Sequence, residues 1–147
     1  MEIEKYLNEL LVRLFHDITE IEEKAIKDGA YKNLTLNDMH VIEAIGTGAP
    51  KNMSTVAKAL SVTTGTLTIA INSLVKKEFV NRVRSEEDRR VVLVSLTKTG
   101  KAAYEQHRKF HEEMIDSIVG QLDPKESEIL AKVLSKMTRF FDERKKA

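Results

Sequence analysis

Residues 54–77 read STVAKALSVTTGTLTIAINSLVKK, and this stretch decides the fold. Its apolar residues recur at helical spacing on both sides of a break at 61–62, which predicts two helices. Ser54 is expected to cap the first helix, and Thr63 or Thr64 opens the second, which runs to the end of the stretch. Two helices joined by so tight a turn predict a helix-turn-helix.

The second helix of this pair has an unusual outward face. If Leu67 faces the core, the opposite face carries small and hydroxyl-bearing side chains with a single lysine, whereas an ordinary surface helix carries Lys and Glu. Its threonines are poor helix formers, so the composition favours a contact surface over a merely solvated one. Hydroxyls at a helix N-terminus suit phosphate oxygens, an asparagine amide can pair with adenine, and methyl groups can touch thymine. This face is therefore predicted to contact DNA through Thr64, Gly65, Thr66, Thr68, Ile69, Asn72 and Lys76.

The periodicity changes after this helix. FVNRVR (79–84) and RVVLVSL (90–96) are rich in β-branched residues and predict two strands joined by a charged tip. In a strand-like tip, Asp88 and Arg90 lie two residues apart and point the same way, so the carboxylate can hold the guanidinium in one direction. An arginine held at the end of a two-stranded ribbon fits the narrow minor groove of DNA. The alternative is a solvated hairpin whose charges only prevent edge pairing.

Positive charge is concentrated in the middle of the chain. The net charge of the 147 residues is +1, but residues 51–101 carry ten Lys/Arg against four acids, a balance of +6 that leaves −5 for the remainder. A basic middle in a nearly neutral protein indicates binding of a polyanion, although ordinary variation in surface charge gives the same numbers. Arg82 and Arg84 on the first strand are expected to face phosphates, whereas Glu86 and Glu87 disfavour indiscriminate DNA binding.

Long amphipathic helices are predicted on both sides of this middle. The spacing of apolar residues predicts one helix over 2–28 and another over about 125–144. They carry more apolar residues than a domain of about 50 residues could cover, and Phe140 and Phe141 would be exposed in a monomer. An intertwined dimer covers them, and the alternative is that both arms fold back on their own domain. A single recognition helix contacts few base pairs, so a symmetric dimer also gains affinity.

Local signals predict three further boundaries. Thr35 followed by Asp38 predicts the start of a helix that ends just before GTGAPKN (46–52). The Gly and Pro content of that segment predicts a loop. Thr97 is expected to cap a long helix that runs to about Gly120.

Composition disfavours several other classes of protein. No cysteine is present, which excludes disulfide scaffolds, thiolate zinc sites and cysteine nucleophiles. No apolar run approaches the roughly 20 residues that cross a bilayer, and no signal peptide is recognisable, so a cytoplasmic location without a membrane partner is expected. The sequence has no phosphate loop and no nucleophile elbow, so an enzyme is not expected. A module of the same fold that binds proteins instead of DNA is the remaining alternative.

The stretch LSVTTGTLTIAINSLVKKEFVNRVRSEEDRRVVLVSLTKTG (60–100) resembles the winged helix-turn-helix of the MarR family of bacterial transcriptional regulators. The most specific elements of the likeness are DRR (88–90) at the wing and LTKTG (96–100) after it. The resemblance implies a mainly α fold with a small β-hairpin wing, in which 63–77 is the recognition helix and 85–90 the wing.

The likeness extends over almost the whole chain. It implies a single domain over 1–147, with a DNA-binding winged-helix lobe at about 35–100 and dimerisation helices at about 2–29 and 98–145. The implied partners are a second copy of the chain and double-stranded DNA with a pseudo-palindromic operator. Ile69 departs from the family, because many members carry a basic residue there. At the wing, the resemblance implies DNA contacts from Asp88, Arg89 and Arg90.

A narrower likeness concerns four short segments. NDMHVIEAIG (37–46), GTLT (65–68), RSEEDRRVV (84–92) and HRKFH (107–111) are similar to MarR-type repressors of fatty-acid synthesis in Firmicutes. That likeness implies binding to promoters of type II fatty-acid-synthesis genes. It also implies long-chain acyl-acyl carrier protein as a corepressor and partner, with no cofactor required.

The histidines leave a second function open. His107 and His111 occupy positions i and i+4 of a predicted helix, a spacing that can hold a metal ion together with His40. MarR-type zinc-sensing regulators place histidines in comparable helices with a glutamate from the first helix, here Glu22 or Glu23. Against this alternative, the chain lacks the dense His/Cys clusters that are typical of metal sensors. A zinc-sensing or small-ligand-sensing regulator is therefore the alternative to the fatty-acid repressor.

Overall fold

The computed structural model describes residues 1–146 of the chain. Over these residues it has six α-helices and three β-strands, in the order α1 (Glu2–Asp28), α2 (Leu36–Ile45), β1 (Lys51–Asn52), α3 (Met53–Leu60), α4 (Thr64–Lys76), β2 (Val80–Arg84), β3 (Val92–Leu96), α5 (Lys98–Val119) and α6 (Pro124–Lys146). The chain divides into two compact units, Met1–Arg108 and Lys109–Ala147, with the boundary inside α5. Residue 147, on which the predicted domain range ends, lies outside the described residues. The predicted fold class, mainly α with a small β-hairpin wing, is confirmed.

The core of the first unit involves α2, α3, α4 and the sheet. Its largest fully buried side chains are Ile42, Ile45, Val56, Leu67, Ile71, Leu74 and Val94. Each such side chain stabilises the fold by about 1.5–3 kcal/mol through its removal from water. Three of them lie on α4 at spacings of four and three residues, which confirms the predicted apolar stripe. The opposite face of α4 consequently points outward.

The three strands form an antiparallel sheet in the order β1-β3-β2. β2 and β3 make the predicted hairpin, in which Arg84 pairs with Val92. Residues 51–52 were predicted to belong to a loop but form β1, in which Lys51 pairs with Val94. Two residues without a β-branched side chain carry no periodic signal. They become a strand because they pair with the edge of β3 that β2 leaves open.

Side-chain caps fix the beginnings of α2 and α4 as predicted. The Thr35 hydroxyl accepts a hydrogen bond from the Asp38 amide, and the Asp38 carboxylate accepts one from the Thr35 amide, both at 3.0 Å. The Thr63 hydroxyl accepts from the amide of Thr66 at 3.1 Å. α3 ends where Ser61 adopts a left-handed conformation (φ 56°), which produces the tight turn into α4.

The cap predicted for α3 is wrong. The Asn52 side-chain oxygen, rather than Ser54, accepts a hydrogen bond from the Thr55 amide, at 2.7 Å. Because Met53 is already helical, Ser54 lies in the first turn. Asn and Ser are both good N-terminal caps, and the choice between them follows from the pairing of Asn52 with β3.

A corner between β3 and α5 explains the LTKTG segment. Leu96 is buried in the core, and the Thr97 hydroxyl donates to the Glu78 carbonyl at 2.7 Å while accepting from the Gly100 amide at 3.0 Å. A Cβ atom on Gly100 would lie 2.1 Å from the carbonyl oxygen of Phe79, so only glycine fits there. The expectation that Thr97 caps α5 is confirmed. This corner joins the wing to the long helix.

The long helices expose apolar side chains that the described chain does not cover. α6, in the second unit, has no buried residue, and in α1 only Glu22 is buried. The exposed apolar side chains of α1 include Leu7, Leu10, Leu14 and Phe15, and those of α6 include Ile129, Val133, Phe140 and Phe141. None of the helices in the described part of the chain is long and apolar enough to span a bilayer.

Candidate nucleic-acid interface

The residues of α4 that were predicted to contact DNA are all exposed on its outward face. Ile69 is 74% exposed, and the remaining members of the face are also exposed: Thr64, Gly65, Thr66, Thr68, Asn72 and Lys76. The Thr68 hydroxyl donates to the Thr64 carbonyl at 2.8 Å, which leaves its oxygen as an acceptor and its methyl group as an apolar contact. The face therefore offers hydroxyl oxygens, methyl groups, one amide and one ammonium group within a single helix.

The wing holds one arginine in a fixed direction. Arg90 Nε lies 3.0 Å from Asp88 Oδ1 and Arg90 Nη2 lies 3.0 Å from Asp88 Oδ2, so the two planar groups face each other through two parallel hydrogen bonds. The Arg90 amide also donates to Asp88 Oδ1, at 3.1 Å. The side chain of Arg90 is nonetheless 90% exposed. The wing therefore presents an oriented guanidinium to the outside.

Asp88 and Arg90 each stabilise the charged form of the other. The Arg90 guanidinium holds the pKa of Asp88 below its ordinary value of 3.8, and the Asp88 carboxylate raises the pKa of Arg90. A lowered carboxyl pKa means that the pair is intact at neutral pH and is lost only as the pH falls through that lowered pKa. Both groups are therefore charged wherever the protein would meet DNA.

The tip of the wing is a turn rather than a continuation of the strands. β3 begins at Val92, two residues later than predicted, because the Val91 amide donates back to the Asp88 carbonyl at 2.9 Å. Arg90 and Arg89 lie in this turn, and both are exposed. The predicted direction of Arg90 toward Asp88 is confirmed, although a turn and not a strand produces it.

The two arginines of β2 make contacts within the protein. Arg82 Nη1 donates to the side-chain oxygen of Asn72, which links the wing strand to α4. Arg84 Nη1 donates to the carbonyl of Arg89 at 2.9 Å, which braces the turn at the wing tip. The sequence did not reveal these two bonds, because each joins residues on different elements. The expected phosphate contacts of Arg82 and Arg84 stay predictions.

A groove runs between α4 and the hairpin. It encloses a volume of about 440 Å³ and is lined by Met53, Thr68, Arg82, Val83, Arg84 and Val92. Its lining combines two guanidinium groups with apolar side chains.

The predicted metal ligands lie in different environments. His40 is exposed on α2, whereas His107 is buried on α5 with its Nε2 atom 2.5 Å from Glu43 Oε1. Glu43 lies in the last turn of α2 and was not among the predicted carboxylates, Glu22 and Glu23, because no local sequence signal links it to His107. His111 follows His107 by one turn of α5 and belongs to the second unit.

Comparison with known proteins identifies the family. Residues 23–107, more than half of the chain, match the family of the transcriptional regulators SarA and Rot. The chain belongs to the SarA/Rot family of transcriptional regulators. The matched span contains α2, α4, the wing and the corner at Gly100. It is a family of regulators and not of enzymes, which agrees with the expectation from the sequence.

Individual relatives support the same assignment. The HTH-type transcriptional regulator SarZ of Staphylococcus aureus (strain USA300) is 34% identical over 98 residues, which cover 66% of this chain and 66% of SarZ. Four HTH-type regulators of Bacillus subtilis also align with this chain. The aligned region spans only 53% to 64% of their own lengths.

Solved structures confirm the resemblance to the MarR family. FabT of Streptococcus pneumoniae, solved in complex with DNA, superimposes with a TM-score of 0.92 at 34% identity, over 95% of this chain and 98% of that one. A point mutant of MarR from E. coli superimposes with a TM-score of 0.68 at 25% identity, over 90% of this chain and 96% of that one.

Proposed function

We propose that the protein is a homodimeric DNA-binding repressor of fatty-acid-synthesis genes that responds to long-chain acyl-acyl carrier protein. The observation that carries DNA binding is the pair of exposed features on one unit, the hydroxyl-rich face of α4 and the oriented Arg90 of the wing. A helix and a ribbon that project together suit adjacent major and minor grooves. The similarity to FabT, which was solved bound to DNA, supports the DNA binding in this proposal.

The roles of the side chains follow from their chemistry. The N-terminal turn of α4 approaches phosphates with Thr64, Gly65 and Thr66, whose helix dipole favours negative charge. The rest of the face enters the major groove through Thr68, Ile69, Asn72 and Lys76. At the wing, Arg90 enters the minor groove while Asp88 holds it, and positive charge toward the backbone comes from Arg84 and Arg89.

The dimer is proposed from the exposed apolar side chains. α1 and α6 each display several large apolar side chains, among them Leu10 and Phe140, which is 50% exposed. Several large apolar side chains exposed along one helix mark an interface with another protein. A second copy of the chain covers it and also brings a second α4 to the DNA. The proposed site of action is the cytoplasm, where such an operator is found.

Fluorescence anisotropy of the full-length protein on labelled fatty-acid-synthesis promoter DNA tests this proposal. It is run over a range of salt concentrations, without effector, with long-chain acyl-acyl carrier protein, and with zinc. We expect sequence-specific, salt-dependent binding that the acyl carrier protein strengthens. Binding that does not distinguish promoter from scrambled DNA would contradict DNA-directed repression. Specific binding that ignores the acyl carrier protein would contradict only the effector.

One contact favours zinc as a second candidate effector. The buried imidazole of His107 lies against the Glu43 carboxylate, and imidazole nitrogen with carboxylate oxygen is a donor set that zinc accepts. In that case His107, together with the predicted ligands His40 and His111, would carry the response. The zinc arm of the same titration, repeated with His107→Ala, tests it. Zinc would then strengthen DNA binding by the unmodified protein and leave the variant unchanged.

A further inference from the structure

We propose that Arg82 is a positioning residue: it orients the side-chain amide of Asn72 and thereby determines which bases Asn72 can bind. The proposal deepens the DNA-binding function proposed above and rests on it. Both side chains are exposed, Asn72 on the outward face of α4 and Arg82 on β2, and the Arg82 guanidinium donates to the Asn72 side-chain oxygen. Arg82 therefore acts on DNA through Asn72, in contrast to the direct phosphate contact expected from the sequence.

The chemistry of the two groups fixes the orientation of the amide. A guanidinium carries only donors, whereas the carboxamide of asparagine has an accepting oxygen on one side and a donating NH₂ group on the other. Only the oxygen can face Arg82. As long as the contact persists, the Asn72 oxygen points toward β2 and its NH₂ group is the part left for a base.

An asparagine held in this way donates a hydrogen bond to an acceptor atom on the base edge. In the major groove, adenine and guanine present N7, guanine also presents O6, and thymine presents O4, but the edge of cytosine presents only the N4 amino donor. The NH₂ group of Asn72 therefore meets a partner on three bases and a second donor on cytosine. A freely rotating amide would turn its oxygen to cytosine and lose this discrimination. The proposed consequence of the Arg82 contact is the exclusion of cytosine at the base that faces Asn72.

The surroundings of Arg82 favour one orientation of its side chain over a mobile one. Arg82 lies on β2 opposite Val94, whose side chain is fully buried, so the backbone from which it projects is part of the core sheet. It also lines the groove beside α4, together with Thr68 of the same outward face. Two residues further along β2, Arg84 bonds the wing turn. The strand thereby connects the α4 face and the wing through two arginines.

The test measures base preference and salt dependence together. The full-length protein first selects duplexes from a random-sequence pool, and the preferred duplex is then replaced one base pair at a time. Affinities are compared for the unmodified protein, Arg82→Ala, Arg82→Lys and Asn72→Asp, after thermal unfolding has shown that each variant is folded. Arg82→Lys retains the charge but not the planar fork of donors.

We expect the unmodified protein to disfavour cytosine by about tenfold at one base pair of each half-site. Arg82→Ala should remove that discrimination and leave the other positions and the salt dependence unchanged, and Arg82→Lys should not restore it fully. Asn72→Asp, which presents only acceptors to the base, should prefer cytosine at the same position.

A different pattern would overturn the proposal. If Arg82 contacts a phosphate, Arg82→Ala weakens binding to all sequences equally and lowers the slope of log affinity against log salt by about one per contact, while Arg82→Lys restores both. Unchanged discrimination in Arg82→Ala would likewise contradict it. Failure of the unmodified protein to select any sequence would instead contradict the proposed DNA-binding function itself.

Discussion

At the scale of single residues, the wing depends on the direction of one side chain. Arg90 is almost fully exposed, yet Asp88 holds it through two side-chain hydrogen bonds and a further bond to its amide. A flexible arginine loses about 0.5–1.5 kcal/mol of rotamer freedom when it is immobilised on a partner. Because Asp88 already restricts the rotamers of Arg90 in the free protein, less of this freedom is lost when DNA binds. We therefore expect Asp88 to contribute to DNA binding although its own charge is repelled by phosphates.

Substitutions of Arg90 and of Asp88 separate the effect of the arginine's charge from the effect of its direction. Arg90→Ala should weaken binding to every duplex by roughly tenfold, because the minor-groove contact carries little base information. Asp88→Asn should weaken binding less, by about threefold, because Arg90 stays charged but loses its direction. Anisotropy titrations on one duplex compare the two variants, with the exposed Lys32→Ala as the control. Unchanged affinity in Arg90→Ala would contradict the role given to the wing.

Gly100 gives a second prediction at this scale, on stability. Its α-carbon approaches the Phe79 carbonyl so closely that a methyl group would lie 2.1 Å from that oxygen. Gly100→Ala should therefore destabilise the first unit by about 1–3 kcal/mol or more, through displacement of α5 from the hairpin. Chemical denaturation measures the loss. Gly48→Ala is the matched control, since no atom lies within 4 Å of a Cβ at Gly48, and equal stabilities of the two variants would contradict the packing argument.

At the scale of the elements, one buried ion pair ties the end of α4 to the beginning of α2. Lys77 Nζ lies 2.9 Å from Asp38 Oδ2 and donates to the Asn33 carbonyl at 2.8 Å, while Asp38 also caps α2. The Asp38 side chain is only 9% exposed. The contact therefore fastens the C-terminal end of α4 to the beginning of α2.

Lys77→Met should destabilise the protein by roughly 2–3 kcal/mol, because it leaves the buried carboxylate of Asp38 without its cation. Thermal unfolding at pH 7 measures the change, with Lys58→Met on the exposed surface of α3 as the control. Thr35→Ala, which removes only the cap, should cost less, about 1 kcal/mol. A stability of Lys77→Met equal to that of the control would show that the ion pair contributes nothing.

The helices were predictable because their signals are local. The periodicity of α1, α4 and α6, the caps at Thr35, Thr63 and Thr97 and the outward face of α4 all follow from residues within one or two turns. β1, the cap at Asn52 and the start of β3 were not predictable, since each depends on pairing with a distant strand or on a turn at the wing. The same reason accounts for the missed contacts of Arg82 with Asn72 and of Glu43 with His107.

At the scale of the whole molecule, the proposed dimer predicts a change in association. Phe140 and Phe141 lie on the exposed apolar stripe of α6. In a symmetric dimer, Phe140→Asp would place one negative charge from each copy in the proposed interface. The substitution should therefore weaken self-association at least about tenfold. Sedimentation equilibrium measures this, with the exposed Ser135→Asp, away from Phe140 around the helix, as the control. A monomeric unmodified protein, or equal association of the two variants, would contradict the dimer.

Hydroxyl-radical footprinting of the complex on a selected duplex tests the central claim most directly, because the radical attacks the sugars that line the minor groove. Two copies of the chain should protect minor-groove sugars symmetrically, about the centres of two half-sites one helical turn apart, roughly 10 base pairs. In Arg90→Ala, at a concentration that restores occupancy, the protections under the wings should disappear while the complex persists. Protection without symmetry, or a wing footprint that survives Arg90→Ala, would contradict a winged-helix dimer that places Arg90 in the minor groove.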